Sequence, residues 1–340
     1  MYSELNSFIR EVFKTDAFIS LHAPVFIGNE KKYLNECVDS TFVSSVGKFV
    51  DQFESMVAEF VGAKYAIATV NGTAALQVAL QLAGVNEHTE VITQPLSFIA
   101  TCNAISYCGA NPIFVDVDKN TMGLSPESLL SFLETQTEQK QDGCYNKSTH
   151  KKISAVLPMH TFGHPCRIDE IAALCDEYNI ALVEDAAESL GSYFKGKHTG
   201  TFGKISAFSF NGNKTITTGG GGMIVTDDEV LAKKAKHLTT TAKVAHRYEY
   251  EHDEIGYNYR LPNLNAALGC AQLEQLPAKL IAKRALFKLY QSAFMPVEDA
   301  SLIAEPEHCV SNYWLQTIML NTDQIYQRDA ILQATNQAGF

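Results

Sequence analysis

Three short stretches of this 340-residue sequence carry residue types that could do covalent chemistry on a small molecule. The first is Ser-Ala-Phe-Ser-Phe-Asn-Gly-Asn-Lys-Thr-Ile-Thr-Thr-Gly-Gly-Gly-Gly-Met, residues 206–223. An apolar strand ends at Ser209, a polar turn presents Lys214, and four glycines, Gly219 to Gly222, let the chain fold back tightly. A lysine amine in such a turn can form a Schiff base with an aldehyde. The second stretch, Val183-Glu184-Asp185-Ala186-Ala187-Glu188, sets a carboxylate at an apolar strand end, where burial raises its pKa unless a cation compensates. A protonated pyridine nitrogen would serve, because two unit charges about 4 Å apart at an effective dielectric near 20 attract by roughly 4 kcal/mol. The third, Asn71-Gly72-Thr73, leads from a strand into a helix, whose free N–H groups and positive dipole end suit a phosphate. Phosphate turn, buried aspartate and turn lysine together are the expected signature of pyridoxal phosphate (PLP).

The elements around these residues alternate. Short apolar strands are predicted at 65–70, 90–93, 112–117, 153–157, 180–184, 205–210 and 223–226. Helices are predicted between them, among them 73–83, 98–108, 126–134 with Ser125 as cap and Pro126 as first residue, and 168–178. Strands apolar on both faces and flanked by helices imply an α/β fold with a mostly parallel central sheet. In such sheets ligands sit at the carboxyl ends of the strands, where all three stretches fall.

Before the first strand, Leu5, Phe8, Ile9, Val12 and Phe13 recur at helical spacing, and 33–61 is read as two helices around the turn 42–47. Residues 134–152 are polar and are expected to form a surface loop. After Pro262 a long helical region runs to about residue 290, the style changes at 296–306, and 313–320 is strand-like. This divides the chain into 1–275, the N-terminal helices and a large PLP-binding domain, and 276–340, the start of a smaller C-terminal domain.

Composition narrows the function classes. A net charge of −11 argues against a general nucleic-acid binder, which presents a basic face. The eight cysteines are scattered, without a Cys-x-x-Cys pair, as small core residues of a reducing compartment are. No run of eighteen apolar residues and no signal-peptide pattern is visible, so the expectation is a cytoplasmic enzyme without a membrane span.

The same stretches, with Phe42-Val-Ser-Ser-Val-Gly47, Asn71-Gly-Thr-Ala-Ala-Leu76, Phe98-Ile-Ala-Thr101 and Gly256-Tyr-Asn-Tyr-Arg-Leu-Pro262, resemble the DegT/DnrJ/StrS sugar aminotransferases, PLP enzymes of the aspartate aminotransferase fold (fold type I). The resemblance covers roughly residues 24–320, and the wording of 184–191 and 211–218 looks most like its LegC-like branch. It implies Lys214 as the Schiff-base lysine, Asp185 as partner of the pyridine nitrogen and Phe98 stacked on the ring. It also implies Gly72, Thr73 and Ser209 on the phosphate, and Glu188 near the cofactor hydroxyl. Asn258 and Arg260 fall where the family reaches the phosphate of a neighbouring subunit, which implies a homodimer with shared sites. This chain departs at Gly220, where many members carry an acid, and in stopping at Phe340, several dozen residues before its relatives.

The reaction so implied takes an amino group from glutamate and places it on C4 of a nucleotide-linked 4-keto-6-deoxy sugar, in that branch a UDP-linked N-acetylhexosamine. Lys214 would carry the proton in both halves. A dehydratase of the same fold would have His in place of that lysine. An inactive regulatory homologue would fail to bind PLP. His160 and His164 have the spacing of a zinc pair on a helix, but Gly163 and Pro165 make a helix there unfavourable and no metal is expected. Lys243, His246 and Arg247 could meet a sugar-nucleotide diphosphate or form a solvated helix face.

Overall fold

A computed structural model describes residues 2–340. Three helices precede the sheet: α1 (Tyr2–Phe13), α2 (Glu30–Ser40) and α3 (Lys48–Val61). On α3, Phe49, Phe53 and Val57 recur at three- and four-residue spacing and are all buried, as the amphipathic pattern requires. The α/β body then runs β1 (Tyr65–Thr69), α4 (Gly72–Leu82), β2 (Thr89–Thr93), α5 (Ile99–Tyr107) and β3 (Asn111–Phe114). It continues with α6 (Pro126–Gln136), β4 (Thr137–Lys140), β5 (Gly143–Asn146), β6 (Lys152–Leu157), α7 (Ile168–Glu177) and β7 (Ala181–Asp185). Two short strands, β8 (Tyr193–Phe194) and β9 (Lys197–His198), lead to β10 (Ile205–Ser209), β11 (Gly222–Thr226) and α8 (Glu229–Thr239). The rest comprises α9 (Asn263–Glu274), α10 (Leu276–Phe294), β12 (Ala300–Leu302), β13 (Cys309–Val310), β14 (Ile318–Leu320) and α11 (Arg328–Gln337).

The main sheet has the order β1-β11-β10-β7-β6-β2-β3. From β10 to β3 every neighbouring pair is parallel, while β11 is antiparallel to both β1 and β10. Side chains alternate through it: Ala66, Ala68, Phe208, Met223 and Val225 face the core beneath α3 and α9, and Ile67, Ala207 and Ile224 face the core under α4 and α8. Both faces are therefore dry, which is why these strands read as continuous apolar runs. Among the described residues no helix is long and apolar enough to cross a membrane.

Three expectations need correction. Residues 134–152 are no loop: β4 and β5 form a hairpin through Gln141-Asp142, and β5 joins β6. The Asp-Gly pair at 142–143 is a hairpin signal that the polar composition masked. The strand expected at 313–320 is confined to Ile318–Leu320, because Tyr313 takes φ 47° and Asn312 is tied to the body. The stretch holding Lys243, His246 and Arg247 is irregular rather than helical.

Candidate active site

Asp185 closes β7, and Ala207 of β10 lies beside it in parallel register. Its carboxylate is buried and accepts from Thr101 Oγ1 at 2.7 Å and from the Ala187 N–H at 3.2 Å. Burial pushes its pKa up against these two donors and the nearby Lys214 charge, so the carboxylate is under-compensated as it stands. Thr101 lies on the first turn of α5, one turn from Phe98, whose backbone C=O accepts the Thr101 N–H at 3.0 Å. The Phe98 ring itself is 64 % exposed.

Lys214 sits in the turn between β10 and β11, where its N–H donates to Asn211 C=O at 3.0 Å. Its Nζ is 3.5 Å from Glu188 Oε1 and 4.1 Å from the centre of the Trp314 ring. Glu188 is buried and its other oxygen accepts the Phe162 N–H at 2.8 Å; burial raises its pKa, opposed by Lys214. Phe162 reaches it from a single turn of 3-10 helix, with its backbone in the left-handed region at φ 56°.

The turn after β1 comes close to this group. Gly222 pairs with Thr69 on one side and Ser209 on the other, so the turn crosses over Gly222 to meet Ser209. A Cβ on Gly222 would lie 2.4 Å from Asn71 O, and one on Gly72 would lie 2.7 Å from Ser209 Cβ. Glycine at both positions is a condition of that crossing. Asn71 caps α4 by accepting the Ala74 N–H at 2.8 Å, leaving the N–H groups of Gly72 and Thr73 without an intrahelical acceptor. Within the glycine run only Gly219 has positive φ, 81°. Gly220 has open space around its missing side chain, nothing closer than 3.9 Å, so an acid there is sterically allowed.

The structure thus brings together Lys214, Glu188 and Asp185, and separately Gly72, Thr73 and Ser209, at adjoining carboxyl ends of β7, β10 and β1. Asn258 and Arg260 are placed differently. Arg260 bridges to Thr69 on the outer side of β1, and its guanidinium donates to Asn258 Oδ1 at 2.9 and 3.0 Å. Asn258 is exposed, and both side chains hold one another on the outer edge of the sheet. His160 and His164 do not converge. His160 Nε2 meets buried Glu184 at 3.1 Å, whereas His164 packs edge-on against Tyr313.

Residues that sequence reasoning missed complete the site. Thr101 shares a helix face with Phe98 at i+3 and could have been inferred from that spacing. Trp314, the only tryptophan in the chain, is 5 % exposed and covers Lys214; its Nε1–H donates to Asn213 O at 2.7 Å. Neighbouring Asn312 donates from Nδ2 to Glu188 O at 2.8 Å and Leu190 O at 2.9 Å. Asn312→Ala would leave two buried carbonyls without this donor, an expected loss of about 2 kcal/mol. Because the Trp314 backbone N–H donates to Asn312 Oδ1 at 2.8 Å, urea unfolding watched by Trp314 fluorescence should show both the lower midpoint and a red-shifted native spectrum; an unchanged spectrum would mean that Asn312 does not seat the indole.

These residues fit a PLP group on their own chemistry. A crowded glycine turn with free helical N–H groups suits its phosphate, an under-compensated buried carboxylate its pyridine nitrogen, and a half-buried amine its aldehyde.

Comparison with known proteins agrees. The family model described as the DegT/DnrJ/EryC1/StrS aminotransferase family matches residues 26–340. GDP-perosamine synthase of Escherichia coli O157:H7 is 41 % identical over 305 residues, covering 90 % of this chain and 79 % of that protein. A Bacillus subtilis protein named putative pyridoxal phosphate-dependent aminotransferase EpsN is 41 % identical over 303 residues, 89 % of this chain and 75 % of its own length. Among solved structures, Helicobacter pylori PseC, an aminotransferase involved in the biosynthesis of pseudoaminic acid, superimposes with a TM-score of 0.85 at 25 % identity, over 95 % of this chain and 83 % of that one.

Proposed function

Since this chain belongs to the DegT/DnrJ/EryC1/StrS aminotransferase family, we propose that it transfers the amino group of glutamate to C4 of a nucleotide-linked 4-keto-6-deoxy sugar. It is a PLP-dependent sugar aminotransferase; the finer assignment is UDP-linked 4-keto-6-deoxy-N-acetylhexosamine. The observation that carries the reading is a lysine amine, Lys214, held between Glu188 and Trp314 within electrostatic reach of the buried Asp185.

When bound, PLP supplies an electron sink that acidifies the hydrogen on the carbon bearing the amino group. The chain does the rest. Gly72, Thr73 and Ser209 would hold the phosphate, Phe98 would cover the ring, and Asp185, aimed by Thr101, would keep the pyridine nitrogen protonated. Lys214 Nζ removes the proton from the donor's Cα in the first half and delivers one to sugar C4 in the second. Glu188 orients that amine, and Trp314 shields it from water.

Asn258 and Arg260 on the outer edge, with exposed Phe42, Val46 and Ile99, support a homodimer in which each copy completes the other's phosphate site. Light scattering should give twice the chain mass, and Arg260→Ala should weaken PLP binding; full binding by a monomer would refute this.

GDP-linked sugars are the second reading, favoured by the 41 % identity to a protein named GDP-perosamine synthase. The two are separated by supplying glutamate with the UDP- or the GDP-linked keto sugar and resolving the aminated product by mass spectrometry. Amination of the UDP substrate alone supports the first reading, and amination of the GDP substrate alone replaces it. A dehydrated product with no amine incorporated would overturn transamination itself.

A further inference from the structure

One indole away from Lys214 stands a group of half-buried nitrogen bases that the chemistry above does not use. Lys279 and Lys283 are four residues apart on α10 and so share a face. Lys283 Nζ donates to the Trp314 carbonyl at 2.8 Å, and Lys279 Nζ donates to the side-chain oxygen of Gln272. Both partners are neutral. The one carboxylate that acts on Lys279, Glu30, is itself engaged by the side chains of Gln272 and Gln275 and by the Gly28 N–H.

His22, from the irregular segment between α1 and α2, enters the same field. Its Nδ1 is buried without a hydrogen-bond partner. Burial, then the charges of Lys283, Lys279 and Lys214, lower its pKa to about 4, and burial brings Lys283 down to about 8. Buried cations are ordinarily paired. Here the charges of two half-buried amines act on an imidazole whose Nδ1 has no partner, the amines donate only to neutral oxygens, and the missing partner is an anion.

We propose that His22, Lys279 and Lys283 form a carboxylate subsite that receives the distal carboxylate of a dicarboxylic amino donor while its amine lies at Lys214. This rests on the aminotransferase reading of Lys214. Trp314 sets the reach: its ring touches Lys214 and its carbonyl touches Lys283, so the anion and the reacting amine are separated by about the width of one residue. The α-carboxylate of an amino acid is too close to its own amine to span that gap, and a side-chain carboxylate can.

The test is the first half-reaction of the holoenzyme, followed by absorbance, with glutamate and with alanine as donors. Lys283→Met should raise the glutamate concentration for half-saturation at least about tenfold while leaving that for alanine unchanged, and Lys283→Arg should recover most of the loss. An unchanged alanine response also shows that the variant is folded. Equal shifts for both donors, no shift for glutamate, or a shift confined to the sugar nucleotide would each overturn the subsite. A wild-type protein that binds PLP but answers to no amino acid would overturn the aminotransferase reading and the subsite with it.

Discussion

Lys214→Ala is expected to retain PLP and to lose sugar amination by at least about a thousandfold, since proton transfer by a positioned side chain contributes up to about 10⁴. The two properties separate because different residues carry them. The glycine turn, Ser209, Thr101 and Asp185 touch neither the amine nor each other through Lys214. Removing the amine does leave Glu188 buried without its cation, so some stability is lost as well. Equilibrium dialysis for PLP and a coupled assay for 2-oxoglutarate measure the two arms. Sugar amination at an appreciable fraction of the wild-type rate would remove Lys214 from its role, and loss of PLP binding would mean that the cradle does not hold the cofactor without it.

The largest effect on stability is expected at His160. Glu184 is fully buried and accepts from His160 Nε2 at 3.1 Å and from the N–H groups of Gly200, Phe202 and Gly203 at 2.7 Å each. Cys166 lies against the other ring nitrogen, and although burial works against the charge, Cys166 and Glu184 together hold the imidazole's pKa well above its ordinary value, so Nε2 carries a proton toward the carboxylate. Burial works against the charge on Glu184, but these donors outweigh it and hold its pKa below the ordinary value of 4.5. A depressed carboxylate contributes stability that is present above 4.5 and is lost as the pH falls through its folded value. His160→Phe removes one donor from a buried charge, at a cost of about 3 kcal/mol near neutrality. Urea unfolding from pH 7 down to pH 4 should show the gap between wild type and variant narrowing in acid. A constant gap would assign the loss to packing.

The residues that would hold the cofactor were legible because each follows a strand, and strand ends are where an apolar run breaks into glycine, acid or lysine. Lys214, Asp185 and the turn at Asn71 announce themselves in that way. The α/β layering was legible too, since strands buried on both faces leave a plain signal in Ile67, Val183 and Ile224. What closes over the site was hidden. Trp314 comes from a hundred residues downstream and lies on a stretch whose apolar look suggests a strand; only the anchoring of Asn312 to β7's trailing loop makes it a cover for Lys214. His160 was weighed as half of a metal pair because its true partner, Glu184, is distant in sequence and masked by the more conspicuous Asp185. The hairpin of β4 and β5 was missed because charge alternating with small polar residues looks the same in a loop and in a half-exposed strand.

Glu184 and Asp185 are consecutive acids on β7, so they emerge on opposite faces of the sheet, one toward His160 and the other toward Thr101. A slip of one residue in the pairing of β7 would exchange them. The shorter acid would then face an imidazole it was not spaced to meet, and the longer one would occupy the place from which Asp185 acts. Net charge and buried apolar surface would scarcely change, so hydrophobic collapse alone does not choose between the two alignments. The donors fitted to each acid do, His160 with three backbone N–H groups around Glu184 and Thr101 with Ala187 around Asp185, so that a population refolded after their loss should contain compact, soluble and catalytically silent molecules.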